Sequence, residues 1–392
     1  MIRERGLTLR RKMGFPLLDA ALVSPWFPVG EDQVRLLRDG GQALPVMLNA
    51  IAGAEREVLL EMYWIGNDEV GRRFRDALTE RARAGVIVRV IYDALGSLGI
   101  TRDWWAPLVA AGGRVGEFHG LRPFDPRFQF AQVELRDHRK LLVVDSLDGF
   151  TGGINLAAPW LPSDLGGAGW RDDMVEVCGE AAQELRTLFY RTWRKLKRER
   201  PPADVRALPR SAGRPVRVLA SPRRRGSIHH EYLVRIAAAR DRIDIANSYF
   251  VPDRRVRMAL FRAVRRGVRV RVLVPRKGDV PIVQLAVEAL FERLMRRGIE
   301  IWLFPDRMLH AKSAIIDDVF TTIGSFNLDR RSWRKNLEAN LAVQDAAFAR
   351  HVRSWFERDL QTAVRVDPAR WRERSLARRG LEWMSYAVRR LW

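Results

Sequence analysis

Apolar residues recur along the chain with helical and with strand-like spacing, and the two spacings follow the same order in both halves of the sequence. VMLNAIAGAEREVLLEMYWIGND has helical spacing followed by an apolar strand, and EYLVRIAAARDRIDIANSYFVPD repeats this in the second half. A helix, a glycine and an alternating strand then follow in VGRRFRDALTERARAGVIVRVIYD and in RRVRMALFRAVRRGVRVRVLVPR. The repeat predicts that each half folds into the same set of elements.

This order predicts an α/β protein with two similar lobes, each a mixed, mostly parallel sheet flanked by helices. Two copies are too few for a solenoid, so we expect the lobes to pack about a pseudo-twofold axis, with one site between them. A charged, proline-rich stretch is typical of the linker between the lobes. The predicted divisions are an N-terminal basic and apolar extension (1–29), a first lobe (30–194), a linker (195–215), a second lobe (216–362) and a tail (363–392).

Each half contains one copy of an unusual polar motif. HRKLLVVDSLDGFTGGIN begins at His138, and HAKSAIIDDVFTTIGSFN begins at His310. Both copies read His-x-Lys, four residues, Asp, six residues and Gly-(Gly/Ser)-x-Asn. Residues two apart on a strand point to the same face, so the His and Lys of each copy should project together. One copy therefore offers an imidazole, an ammonium and an amide, which is half of a phosphate site.

Two facing copies would supply the groups that displacement at phosphorus requires. Fixed cations and amide donors stabilise the negative charge that grows on the phosphoryl oxygens. One histidine can attack phosphorus while the other protonates the leaving oxygen, which requires no metal. No metal-ligand spacing is present, and the single Cys178 excludes an internal disulfide or a cysteine-based zinc site. We therefore expect neither a metal nor another cofactor.

The net charge of +22 points to an anionic partner, which could be nucleic acid, an anionic membrane surface or a small anionic substrate. Charge alone does not choose among them. No apolar run reaches the roughly 18 residues that a membrane span requires. The N-terminal stretch is basic and then apolar, but Asp19 and three prolines interrupt it, so we expect neither a signal peptide nor an anchor there.

The doubled motif resembles the phospholipase D superfamily over roughly residues 30 to 360. Within that superfamily the chain is similar to the short bacterial cardiolipin synthases that have no N-terminal membrane spans. The supporting stretches are MYWIGNDEVGRRFRDAL, DVPIVQLAVEALFERLMRRGIEIW and GSFNLDRRSWRKNLEANL. The last of these contains Glu338 at the spacing that the family shows, and GWRDDMVEV has Asp172 at the corresponding place in the first half.

The resemblance implies the roles of the motif residues. His138 is expected to be the nucleophile that forms a phosphohistidine, with His310 as acid and then base, although the near-symmetry of the repeat leaves the reverse assignment open. The catalytic set that the motif defines is His138, Lys140, Asp145, His310, Lys312 and Asp317, but we expect Asp145 and Asp317 to hold turns by hydrogen bonds. The expected phosphate ligands are Asn155, Asn327 and Ser325, and Asp172 and Glu338 are expected to orient the histidines.

The resemblance also implies the reaction, which is transfer of a phosphatidyl group from one phosphatidylglycerol, or from phosphatidylethanolamine, to the glycerol hydroxyl of another phosphatidylglycerol. Hydrolysis to phosphatidic acid would use the same groups and differ in the access of water. A nucleic-acid phosphodiesterase would suit the charge, but no recognised nucleic-acid-binding module is present, and we expect no nucleic-acid partner. We expect an anionic phospholipid substrate and peripheral contact with the cytoplasmic side of a bacterial inner membrane. The oligomeric state stays open.

The tail, WRERSLARRGLEWMSYAVRRLW, predicts a basic amphipathic helix. Its apolar residues fall on one helical face with arginines around them: Leu376, Trp383, Met384, Ala387, Val388 and Leu391. Such a helix either lies on a membrane surface or docks on the domain.

Overall fold

The structure is a computed structural model, and it describes residues 24–121, 132–205, 213–221, 228–305 and 307–388. It contains two sheets of eight strands, one in each half of the chain. The first sheet comprises β1 (Phe27–Val29), β2 (Asp32–Arg38), β3 (Glu57–Met62), β4 (Ile87–Asp93), β5 (Arg114–Phe118), β6 (Lys140–Val144), β7 (Asp148–Gly152) and β8 (Asp173–Cys178). The second comprises β9 (Val216–Ser221), β10 (Arg242–Asn247), β11 (Arg269–Pro275), β12 (Glu300–Phe304), β13 (Lys312–Ile316), β14 (Phe320–Gly324), β15 (Glu338–Gln344) and β16 (Val364–Arg365).

The two sheets have the same strand order, which confirms the two similar lobes expected from the repeat. The orders are β1-β2-β8-β7-β6-β3-β4-β5 and β9-β15-β14-β13-β10-β11-β12-β16, so each sheet has one extra strand, at opposite edges. The parallel part of each sheet is smaller than expected. Only β3, β4 and β5 pair parallel in the first sheet, as do β10, β11 and β12 in the second. The motif strands return through tight hairpins rather than helical crossovers, so the other pairings are antiparallel.

Helices cover the outer faces of both sheets, with α1 and α2 on the first sheet and α5, α6 and α7 on the second. Asp68 and Asp253 cap α2 and α6, because each side chain accepts a backbone N–H of the first turn. The helices are α1 (Asp39–Ala52), α2 (Glu69–Arg83), α3 (Ala106–Ala110), α4 (Glu180–Lys197), α5 (Ile228–Ala238), α6 (Arg254–Arg265), α7 (Pro281–Met295), α8 (Arg330–Arg334), α9 (Ala346–Thr362), α10 (Pro368–Arg372) and α11 (Leu376–Ala387).

The inner faces of the two sheets share one hydrophobic core. Leu59 and Val143 of the first sheet belong to the same buried cluster as Ile315 and Leu341 of the second. Strands β7 and β8 contact β14 and β15 directly, while α4 reaches β9 and α9 reaches β2 across the interface. The lobes therefore pack face to face over their sheets and do not merely touch at an edge.

The bounds of the predicted divisions can be compared with the helices and strands of the structure only in part. Helix α4 continues to Lys197, so the predicted linker begins with helix, and residues 206–212 of that linker lie outside the described residues. Most of the predicted N-terminal extension and Leu391 of the tail also lie outside them. In the rest of the tail, β16 joins the second sheet and α11 packs against α7. Among the helices that the structure describes, none is both long and apolar enough to cross a membrane.

The motif aspartates hold the far ends of the motif strands. Asp145 follows β6 with a φ of +51°, and its carboxylate accepts the three backbone N–H groups of residues 55–57 at 2.8, 2.7 and 2.9 Å. Asp317 has the same φ and accepts those of residues 240–242 at 2.7, 2.8 and 3.0 Å. Each aspartate thus ties the start of a parallel strand to the turn of the motif hairpin.

We predict that Asp145→Ala lowers the free energy of unfolding by about 2–4 kcal/mol, because three backbone donors lose a charged acceptor. Asp164→Ala, at an exposed position, should change it by less than about 0.5 kcal/mol. Chemical denaturation of both variants measures the difference. Equal stability of the two variants would contradict the turn-holding role.

Candidate active site

The motif strands begin where the two lobes meet, and two short main-chain bridges join the lobes there. In one bridge the amide of His138 donates to the carbonyl of Leu337 at 2.9 Å, and the amide of Leu337 donates to the carbonyl of Arg136 at 2.8 Å. The other bridge has the same form, with the amide of His310 donating to the carbonyl of Arg171 at 2.7 Å. Each bridge places a motif histidine next to the residue that precedes a carboxylate of the other lobe.

Each histidine is held by a carboxylate from the opposite lobe. His138 Nδ1 lies 3.0 Å from Oε2 of Glu338, and His310 Nδ1 lies 2.7 Å from Oδ2 of Asp172. Both carboxylates are fully buried, whereas the histidines keep 9% and 5% of their surface exposed. Sequence reasoning assigned these carboxylates to the histidines, and the structure adds that the partners are exchanged between lobes.

Burial and neighbouring charges set the protonation of these pairs. Burial lowers the pKa of His138 to about 4 against the influence of Glu338, and burial together with Lys312 lowers the pKa of His310. Burial acts to raise the pKa of each carboxylate, but the histidine and lysine neighbours outweigh it. The pKa of Asp172 falls to about 2, and that of Glu338 is also lowered. The resting pairs are therefore neutral imidazoles beside ionised carboxylates, and a proton on Nδ1 leaves Nε2 as the ring nitrogen that can act on a ligand.

The two motif lysines are completely buried beside the histidines. Lys140 Nζ donates to the carbonyl of His138 at 2.7 Å, and Lys312 Nζ donates to the carbonyl of His310. Burial lowers the pKa of Lys140 to about 7, with a further contribution from Lys312, and lowers the pKa of Lys312 to about 8. A bound anion favours the protonated forms, so the site gains positive charge when a phosphate binds.

The motif asparagines follow the second strand of each hairpin and are almost completely buried. The side-chain oxygen of Asn155 accepts the backbone N–H of Trp64 at 3.1 Å, and that of Asn327 accepts the hydroxyl of Ser248 at 3.0 Å. Because each carbonyl oxygen is engaged, the amide nitrogen is the group that is left to donate to a ligand. The asparagines can therefore join the lysines in holding phosphoryl oxygens.

The two carboxylates are held by different donors. The hydroxyl of Ser325, which the sequence predicts among the phosphate ligands, donates to Oε2 of Glu338 at 2.5 Å. Gly153 occupies the equivalent place in the first lobe, where a Cβ atom would lie 2.1 Å from Oδ1 of Asp172. The indole N–H of Trp160 donates to Asp172 there at 2.9 Å. At the shorter carboxylate, Asp172, Gly153 thus takes the place of Ser325, and the indole of Trp160 supplies the hydrogen bond that the serine hydroxyl supplies to Glu338.

Aromatic rings contact both histidines. The ring of Tyr63 meets that of His138 edge-on at 4.8 Å between centroids, and Trp160 and Trp170 lie 5.2 and 5.6 Å from His310. Sequence reasoning did not assign the two tryptophans to the site. Their position in the chain between two expected site residues, Asn155 and Asp172, is the signal that could have found them.

Asp145 and Asp317 do not lie with the other four motif residues. Each is at the opposite end of its strand from the lysine, in contact with backbone amides. These contacts are the turn-holding hydrogen bonds expected of the two aspartates, which hold the hairpins in which the other motif residues lie.

Comparisons with known proteins agree on the kind of protein to which this chain is similar. Residues 232–360 match a family described as cardiolipin synthase, PLD-like domain. The chain is 31% identical to a probable cardiolipin synthase of Bacillus subtilis, over 90% of this chain and 71% of that protein. It is 33% identical to cardiolipin synthase A of Pseudomonas putida, over 93% of this chain and 76% of that protein.

Two solved structures share the fold at low identity. Phosphatidylserine synthase of Haemophilus influenzae superposes with a TM-score of 0.71 at 15% identity, covering 94% of this chain and 95% of that one. Polyphosphate kinase of Porphyromonas gingivalis superposes with a TM-score of 0.58 at 15% identity, covering 92% and 53%. At these identities the likeness concerns the fold alone, and it agrees with the two-lobed α/β architecture.

We predict that binding of tungstate, a phosphate analogue whose charge is constant near neutral pH, is coupled to proton uptake. Lys140 and Lys312 are partly deprotonated in the free protein because their pKa values are about 7 and 8, and the anion stabilises their charged forms. Affinity should fall as the pH rises from about 7 to 9. Calorimetry in buffers of different ionisation enthalpy measures the uptake, with Lys140→Met as the variant that should lose part of it. Constant affinity up to about pH 9 would contradict lysines with such low pKa values.

Proposed function

Because the chain belongs to the cardiolipin synthase family of phosphatidyltransferases in the phospholipase D superfamily, we propose that it joins two molecules of phosphatidylglycerol into cardiolipin and glycerol. The observation that carries this proposal is the exchange of carboxylates between lobes, which engages Nδ1 of both histidines and leaves Nε2 of each ring for the reacting atoms. Phosphatidylethanolamine is the alternative donor of the phosphatidyl group.

In the first half-reaction, Nε2 of His138 attacks phosphorus and the bond from phosphorus to the headgroup oxygen breaks. The bound phosphodiester raises the pKa of His310, which then carries the proton that the departing glycerol takes. The product is a phosphatidyl group on His138. Lys140, Lys312 and the two motif asparagines stabilise the charge on the phosphoryl oxygens.

In the second half-reaction, a glycerol hydroxyl of the second phosphatidylglycerol gives its proton to His310 and attacks phosphorus. The bond between phosphorus and His138 breaks, which restores the neutral imidazole and releases cardiolipin. Glu338 and Asp172 hold the Nδ1 proton of each ring throughout, so that each Nε2 faces the reacting atoms. The assignment of the nucleophile to His138 follows the resemblance to the family.

The proposed substrates are lipids of a bilayer, so the reaction requires contact with a membrane surface. The net charge of +22 favours a leaflet with anionic headgroups. We place the protein at the cytoplasmic face of a bacterial inner membrane, as a peripheral protein.

We predict that the protein converts labelled phosphatidylglycerol in vesicles into cardiolipin and free glycerol. His138→Ala and His310→Ala should each lower the rate by at least about 10³-fold, because each removes a group that makes or breaks a bond to phosphorus. His230→Ala, which removes an exposed histidine of α5, should leave the rate unchanged. Mass spectrometry identifies the lipids. Phosphatidic acid as the sole product would indicate a hydrolase, and the absence of any lipid product would refute the proposal.

We predict that a phosphatidyl ester of p-nitrophenol distinguishes the two histidines. This leaving group requires no acid, so His310→Ala should release a burst of one nitrophenol per site and retain the lipid covalently, because the base for the second step is missing. His138→Ala should give no burst. Stopped-flow absorbance and intact-protein mass measure the two effects. The opposite pattern would assign the nucleophile to His310.

A further inference from the structure

Helix α11 is docked on the second lobe by its polar face. All three charged residues of this helix form ion pairs on that side, with α7 or with the turn that precedes α11. These ion pairs are Arg378 with Glu288 at 2.5 Å, Arg379 with Glu292 at 3.5 Å, and Glu382 with Arg374 at 2.7 Å. On the same side, the hydroxyl of Tyr386 accepts a hydrogen bond from Arg257 of α6 at 3.2 Å. The helix is therefore held by groups that soluble helices normally turn to water.

No charged residue lies on the outward face that α11 forms together with Val388, the residue that follows it. Its members are all exposed: Leu376, Ala377, Gly380, Leu381, Trp383, Met384, Ala387 and Val388. The exposed fractions of the large side chains are 81% for Leu376, 49% for Leu381, 50% for Trp383, 61% for Met384 and 39% for Val388. A surface helix of a soluble protein shows the reverse arrangement, and a contiguous apolar surface of this kind marks a site of interaction.

The C-terminal end of α11 is connected to the proposed active site by a short series of contacts. Arg257 donates to the hydroxyl of Tyr386 and also to the carbonyl of Pro252 at 2.5 Å. Pro252 belongs to the short loop that begins with Ser248, whose hydroxyl holds the amide of Asn327 at 3.0 Å. A few contacts thus connect the outer helix with a proposed phosphate ligand.

Further apolar side chains are exposed in the loops at the same edge of the sheets. Leu98 lies in the loop that follows β4 in the first lobe. In the second lobe, Val280 ends the loop that follows the equivalent strand β11, and Ile282 lies in the first turn of α7. The carboxyl ends of β4 and β11 lie at the edge where the motif lysines begin β6 and β13. Apolar groups therefore border the site from both lobes.

We propose that the outward face of α11, together with Leu98, Val280 and Ile282, inserts into the headgroup region of an anionic bilayer and holds the active site at its surface. This inference rests on the proposed function, because that function puts the substrate in a bilayer. Trp383 has the amphipathic ring that suits the interface between headgroups and acyl chains. In the chain, the exposed residues Arg370 and Arg372 precede α11, and the sequence continues after it with Arg389 and Arg390.

The charge of the protein favours lipid over a second copy of the chain as the occupant. Two copies that met through α11 would bring together their flanking arginines on proteins that each have a net charge of +22. An anionic leaflet complements the same arginines, each contributing to attraction at the membrane surface. The apolar residues then bury their side chains among the acyl chains.

The experiment is co-flotation of the full-length protein with vesicles of phosphatidylglycerol and phosphatidylcholine, compared with phosphatidylcholine alone. The test variant is Leu381→Glu/Met384→Glu, which places two charges in the apolar face. Both positions are exposed, so the new carboxylates stay hydrated and the fold should not be disturbed. The matched control is Leu147→Glu/Val319→Glu, which makes the same change at two exposed residues in the hairpin turns at the far ends of β6 and β13. Thermal denaturation verifies that all proteins are equally folded.

We expect the α11 variant to lose at least about tenfold in its partition onto anionic vesicles, and the control to change by less than about twofold. The α11 variant should retain its activity toward substrate dispersed in detergent micelles. Binding of the α11 variant equal to that of the control would overturn the inference and leave the proposed function intact. A wild-type dimer that the α11 variant converts to a monomer, with vesicle binding unchanged, would overturn it in favour of a second copy. A protein that binds through α11 but transfers no phosphatidyl group would uphold the surface and refute the function.

Discussion

Each of the two buried motif histidines pairs with a carboxylate of the opposite lobe. An ionised carboxylate in a protein interior requires a partner, and an imidazole without one would be free to change its tautomer. Neither lobe therefore contains a complete site. The face-to-face packing of the sheets, the two main-chain bridges and the contact of Arg171 with Asp359 of α9 at 2.9 Å all serve to keep the exchanged pairs in register.

The exchange is nearly symmetric, and its departures from symmetry are confined to a few positions. Glu338 is longer by one methylene and is met by a serine hydroxyl, whereas Asp172 is shorter and is met by an indole N–H. Gly153 is required by that shorter arrangement, because any side chain there would collide with the carboxylate. Two histidines with the same backbone setting can in this way differ in basicity and orientation, as the proposed roles of nucleophile and acid require.

Much of the fold could be predicted because spacing along a chain reports which residues share a face of one element. Apolar periodicity indicated the repeated units, and the two-residue spacing of His138 and Lys140 placed both on one side of a strand. Spacing cannot report which carboxylate of another lobe approaches a side chain, so the exchange was not predicted. It also cannot distinguish a hairpin return from a crossover, which is why the parallel part of each sheet was overestimated.

The sequence pattern also could not predict the surroundings of the two tryptophans or of the tail helix. Trp160 and Trp170 resemble core residues in the sequence, and only folding brings them to His310. The apolar periodicity of α11 was evident, but a periodic face fits a buried contact as well as an exposed one. Glu288 and Glu292 on α7 decide between the two, because they attract the arginines and turn the apolar side outward.

The core that the two sheets share has a consequence for the motions available to the protein. A clamshell movement of the lobes would expose the side chains that both sheets bury and break the bridges that hold the histidines, so the lobes should move as one rigid body. Release of one ligand and entry of the next should therefore not require the lobes to separate.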